Sequence, residues 1–227
     1  MRLGIRCRFA RLSAGAGLAV LLGSALPAPA AEPEAPTNGE WRQLDRAEVI
    51  VKTRSVPDYP WPEVTAYRRV SATPEEVAAV YADFESQAGY LPGLVESRII
   101  RRLARNSFHV AYDYEVTGPN ERYTVLATVN RAPGGYRVTW ELVTARYARR
   151  LSGELRVETF GSGTLVEYTN RVDPGFFGVR LGSPETTVRQ LKETVQALAT
   201  HVERLRAGQP EILAARVQAL RSMLGEP

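Results

Sequence analysis

The 227-residue sequence has one cysteine, Cys7, and two histidines, His109 and His201. A single thiol cannot close a disulfide within the chain, so packing and hydrogen bonding have to hold the fold. The two histidines share no HxxxH spacing and there is no CxxC, so neither a metal site nor a cofactor is expected. There is no GxSxG elbow, and the one thiol lies within the first ten residues, which leaves serine or cysteine nucleophile chemistry without support. Gly161-Ser162-Gly163 lacks the rest of a phosphate-binding loop and reads as a turn between strands. No apolar run reaches the ~20 residues that a bilayer-spanning helix needs.

The apolar run that is present, Ala14 to Leu26, follows a basic start made by Arg2, Arg6, Arg8 and Arg11. Ala28 and Ala30 then supply the small side chains of an A-x-A cleavage pattern. This three-part layout reads as a secretory signal peptide over residues 1–30, cut after Ala30 with Ala31 as the second choice, and implies a periplasmic or secreted protein. Cys7 precedes the apolar run rather than following it, so it is not the acylated cysteine of a lipoprotein signal. Cleavage would remove four arginines and no acids, taking the formal net charge from +4 to zero. A neutral chain has no summed field to draw in phosphates, so no nucleic-acid partner is expected; Arg68-Arg69, Arg101-Arg102 and Arg149-Arg150 read as solvated strand faces.

Removing 30 residues leaves 197, the size of one domain with a real core. Residues 31–40, rich in proline and small polar side chains, read as a flexible lead-in, with order beginning near Trp41. Ala47–Lys52 and Val64–Val70 are strand signals that can pair as a hairpin with a long, proline-bearing loop. Thr73-Pro74-Glu75-Glu76 is a capping box with proline at the first helical position, and Val77, Val80, Tyr81 and Phe84 give that helix one apolar face. From Val95 to Val172 the period changes to two, with turn residues at Arg105-Asn106, Gly118-Pro119-Asn120, Pro133-Gly134-Gly135 and Gly161-Ser162-Gly163. Five or six antiparallel strands result, with a polar face carrying His109, Asp113, Glu115, Arg122, Arg137 and Glu141. Ser183-Pro184-Glu185 starts a long helix whose Val188, Leu191, Val195, Leu198, Val202 and Leu205 form an apolar stripe that can cover the sheet. Gly208 and Pro210 stop it, and residues 208–227 form a second amphipathic helix that either packs on the body or docks a partner.

The fold class is therefore α+β, a bent antiparallel sheet under a long C-terminal helix. Residues converging between the two are Phe108, Val110, Tyr112, Tyr114, Tyr123, Val125, Tyr136, Val138 and Trp140 from the strands, with Val188, Leu191 and Val195 from the helix. Two readings of this surface stand, a solid core or a pocket for an apolar ligand; the abundance of tyrosine favours the pocket, because buried hydroxyls want partners. Phe176 and Phe177, set among glycines in Asp173-Pro174-Gly175-Phe176-Phe177-Gly178, serve either as a gate or as a plug of the sheet end. His109, Asp113 and Glu115 face away from this surface, which speaks against an acid/base role for them.

The order strand, helix, meander, long helix, with the string Ser71-Ala72-Thr73-Pro74-Glu75-Glu76-Val77 through Tyr81-Ala82-Asp83-Phe84-Glu85 to Tyr90-Leu91-Pro92-Gly93-Leu94-Val95-Glu96-Ser97, resembles the polyketide cyclase and coenzyme Q-binding branch of the START-like (SRPBCC) superfamily. The resemblance implies a helix-grip domain over residues 41–207, with 208–227 as an extension, and a cavity between sheet and helix that takes lipids, quinones, sterols or polyketides. It makes a small hydrophobic molecule the expected partner, with transient membrane contact. A carrier is the first reading; a cyclase or aromatase using Tyr112 or Tyr136 as acid/base groups, and an envelope interaction domain with a filled interior, are the alternatives. A lipocalin-like barrel, the rival fold, is disfavoured by the capped helix at Thr73.

Overall fold

The computed structural model describes residues 36–116, 119–176 and 182–226. Helix α1 (Asn38–Asp45) precedes a hairpin of β1 (Ile50–Arg54) and β2 (Glu63–Val70). Helix α2 (Pro74–Ala82) and a 3-10 turn (Phe84–Gly89) lead into a meander: β3 (Leu94–Ala104), β4 (Ser107–Tyr114), β5 (Glu121–Ala132), β6 (Gly135–Ala145), β7 (Arg150–Phe160) and β8 (Gly163–Asp173). Helices α3 (Pro184–Gly208) and α4 (Pro210–Leu224) complete the chain. All eight strands form one antiparallel sheet in the order β1-β2-β8-β7-β6-β5-β4-β3, an α+β fold of the helix-grip type.

Local chemistry sets the helix starts. Thr73 accepts from the Glu76 N–H at 3.2 Å while the Glu76 carboxylate takes the Thr73 N–H at 2.7 Å, so both arms of the capping box are closed ahead of Pro74. Ser183 caps α3 by accepting from the Thr186 N–H, again with proline in the first turn. The tight β-turns place Gly134 and Gly161 at φ values of 74° and 58°, a region that costs glycine nothing.

The stripe on α3 packs into the bent sheet, with Leu191, Val195, Leu198, Val202 and Leu205 buried. Helix α2 is buried along almost its whole length and contacts β6, β7 and β8 as well as α3. Helix α4 lies mainly on α2, where Leu213 and Leu220 are buried and Arg221 makes two bonds to Glu75 at 2.8 and 2.7 Å. Of the two readings for this segment, packing on the body is what the structure shows.

Helix α1 starts at Asn38, inside the segment expected to be a lead-in. Its cap is Thr37, with Glu40 closing a second capping box. Leu44 is wholly buried with Ile50, Tyr67 and Leu165, and Trp41 stacks on Phe160 at 5.1 Å. The sheet's outer face is thus covered beside β2 and β8, so β2 is buried on both sides rather than half wet.

Candidate functional site

Helix α3 fills only part of the groove it crosses. Where its C-terminal half and α2 press on the sheet the interior is solid; at the other end the first turns of α3 leave a cavity of about 170 Å³. Residues one strand-repeat apart build its wall: Tyr112 and Tyr114 on β4, Glu121, Tyr123 and Val125 on β5, Trp140 on β6, Leu151 on β7, and Tyr168, Asn170 and Val172 on β8. Tyr81 enters from α2, Gln87, Leu91 and Pro92 from the 3-10 turn and its exit, and Thr187, Gln190, Leu191 and Thr194 from α3. Trp61, from the loop between β1 and β2, stands at the mouth with Val116 and Ala148.

The aromatics form two groups. Trp140 lies 5.0 Å from Tyr168 and 6.1 Å from Tyr81, and Tyr81 meets Tyr168 edge-on at 5.9 Å. Tyr123 sits 5.3 Å from Tyr112 and 6.1 Å from Tyr114. Such offset and tilted pairs hold rings rigidly at little cost. Trp140 can lie flat because β7 offers Gly153 beneath it: a Cβ there would come within 2.4 Å of the indole.

Hydrogen bonds fix several of the polar atoms. Gln87, almost wholly buried, donates to the Tyr81 carbonyl at 2.8 Å and accepts from the Tyr112 hydroxyl at 3.0 Å. The Tyr81 hydroxyl donates to that of Tyr168 at 3.3 Å. Burial raises the phenol pKa of Tyr81, Tyr112 and Tyr123 well above the usual value, and pushes that of Tyr168 up to about 12. These groups are neutral at pH 7, which suits them to donate hydrogen bonds and not to act as bases.

Of the residues expected at this surface, Tyr112, Tyr114, Tyr123, Val125, Trp140 and Leu191 line the cavity. Phe108, Val110, Tyr136, Val138 and Val195 lie instead in the solid core, because α2, the 3-10 turn and α3 cover their stretches of the groove; Phe84 packs on Phe108 at 5.8 Å. Val188 packs partly buried on the same core, outside the cavity wall. Phe176 is 95% exposed, and Phe177 lies outside the described residues. Glu115, expected on the far face, comes to the mouth because β4 ends at Tyr114 and the strand alternation stops there. Asp113 does stay on the outer face, bonded to Asn120 and Arg122.

Sequence reasoning missed Tyr81, Gln87, Tyr168, Asn170 and Glu121. Glu121 shares its parity with Tyr123, so alternation carried the signal; its charge masked it. Among the described residues no group of three or more His, Cys, Asp or Glu could hold a metal, and no helix is long and apolar enough to cross a membrane.

Comparison with known proteins places this geometry. A family model described as polyketide cyclase / dehydrase and lipid transport matches residues 62–203. No curated protein matches the chain. Among solved structures, a STAR-related lipid transfer protein from Xanthomonas axonopodis is similar at 22% identity and a TM-score of 0.60, covering 68% of this chain and 93% of that one. The human StarD13 lipid transfer and protein localization domain follows at 18% identity and 0.54, covering 68% and 82%. An aromatase/cyclase from Streptomyces sp. R1128 gives 21% identity and 0.50, covering 64% and 97%. At these identities the likeness establishes the fold.

Proposed function

Because this chain belongs to the polyketide cyclase / dehydrase and lipid transport family, we propose that it is an exported carrier that holds a hydrophobic molecule in the cavity between the sheet and the first turns of α3. The observation that carries the reading is the aromatic-walled cavity of about 170 Å³. Apolar cavities of roughly 150 Å³ admit a benzene-sized guest.

Magnitudes narrow the guest. A single ring burying ~200 Å² gains about 5 kcal/mol, the same order as the cost of association. A ring alone would therefore bind weakly. A tight ligand places one ring against the cluster of Trp140, Tyr81 and Tyr168 and runs more apolar surface out through the mouth past Trp61 and Pro92.

The cyclase alternative leaned on Tyr112 and Tyr136 as acid/base groups. The Tyr136 hydroxyl donates to Glu75 at 3.1 Å, away from the cavity wall, and the Tyr112 hydroxyl is committed to Gln87 at 3.0 Å. Both facts favour carrying over cyclisation. Export rests on the N-terminal sequence alone, and Ala31 is the expected first residue of the processed chain.

Transfer is tested with vesicles that contain self-quenched fluorescent lipids of several classes, a sterol and a quinone analogue among them. Dequenching on addition of the processed protein is the expected outcome for at least one class. No extraction from any of them would remove the transfer part of the proposal.

A further inference from the structure

The cavity is not apolar throughout, and two of its polar atoms are incomplete. Glu121 is only 3% exposed. Its Oε1 accepts from the Arg146 and Tyr147 N–H groups, both at 3.2 Å, while its Oε2 is buried with no partner. Asn170 Oδ1, on another strand of the wall, is likewise buried and unpartnered. A buried acceptor without a donor costs about 1–3 kcal/mol, so two on one wall need a reason.

Resting on the carrier reading above, we infer that Glu121 is the specificity residue of the cavity, and that it selects a ligand whose apolar body carries a hydrogen-bond-donating hydroxyl; Asn170, three strands away in the sheet order, is a separate acceptor that the same O–H does not meet. The free oxygen of the Glu121 carboxylate is an acceptor, so the group that completes it has to donate, and one O–H supplies that one donor. The two backbone N–H groups hold the Glu121 carboxyl in place. A cationic head fits less well, because Arg146 stands beside Glu121, its guanidinium donating to the Asn120 carbonyl at 2.7 Å. Burial pushes the Glu121 carboxyl up, against the pull of the Tyr147, Ala148 and Arg146 N–H groups. Neutral hydroxyl ligands are thereby separated from esters, ethers and plain hydrocarbons of the same shape.

The test uses three probes with one aromatic body: 2-naphthol, 2-methoxynaphthalene and the cation of 2-(aminomethyl)naphthalene, titrated into the full processed chain by calorimetry. Wild type is expected to bind 2-naphthol about tenfold more tightly than the methoxy compound, the cost of one unsatisfied buried acceptor, with the amine the weaker of the two donors. Glu121→Gln keeps the backbone bonds through its carbonyl and turns an N–H₂ into the cavity, so its preference for the naphthol should vanish or reverse. If wild type binds all three probes equally, the selection is absent and this inference is overturned while the carrier reading survives. Tightest binding of the amine would assign the site to cations and also overturn it. If no probe binds, the carrier reading and the inference fall together. Equal circular dichroism and melting of the variant and the parent shows that affinity, not folding, is being read.

Discussion

Gly153 sits under the Trp140 ring with a would-be Cβ also 2.4 Å from the Thr169 carbonyl oxygen, so both the neighbouring strand and the indole close the space above it. A methyl group there fits only if Trp140 lifts toward the cavity and the Thr169 backbone on β8 gives way as well. Gly153→Ala is therefore expected to cost about 1–3 kcal/mol in urea denaturation through overpacking, and to lower 2-naphthol affinity as well. Loss of stability with unchanged affinity would show that Trp140 does not define the cavity floor. His201 carries a second residue-scale expectation. Its ring stacks on Tyr90 at 4.4 Å, with Arg204 and Arg216 at its two nitrogens; burial first, then these arginines, bring its pKa down to about 4. Asp83, paired with Arg216, pulls weakly the other way. A folded value below the ordinary 6.5 means that the neutral ring stabilises the fold above pH 6.5 and that this contribution is lost as pH falls toward 4. His201→Gln should flatten the fall in the denaturation midpoint across that window, and identical pH profiles for variant and parent would contradict the assignment.

At the scale of elements, α4 is a clamp on α2. Leu220 is 1% exposed, and Glu75 is held below the usual carboxylate range chiefly by its bonds to Arg221. Leu220→Ala is expected to cost about 2–5 kcal/mol, read from the denaturation midpoint; a change under about 0.5 kcal/mol, typical of a surface site, would mean that the helix is dispensable. The elements themselves were mostly legible, because their signals are local: the Thr73–Glu76 capping box, the two-residue alternation and the three-four stripe each depend on a few adjacent residues. Helix α1 is masked by the proline-rich composition around it, although Thr37 and Glu40 form a capping box of the same kind as Thr73 and Glu76. The site was legible only by face. Alternation placed Tyr112, Tyr114, Tyr123 and Trp140 on the inner side with Phe108, Tyr136 and Val138, but depth along the groove depends on where α2 and α3 come to rest. That is a tertiary fact, and it separates cavity wall from solid core. Tyr81 and Tyr168 became site residues through the same packing.

For the whole molecule, one asymmetry matters: a long helix lies in a bent sheet and fills it at one end only. The filled end supplies stability, with α2, α3 and α4 stacked over the core; the open end supplies an aromatic wall, with Trp61 at its mouth. Cut after Ala30 as proposed above, the chain would carry no net charge, and selection would fall to shape and to the few polar atoms in the cavity. The most direct test of the account is native mass spectrometry on the processed protein isolated from its own source. A folded-state mass above that of the chain, returning to the chain mass on denaturation in organic solvent, is the expected result. The bare chain mass under both conditions, from preparations never exposed to detergent, would contradict the claim that this groove carries a guest.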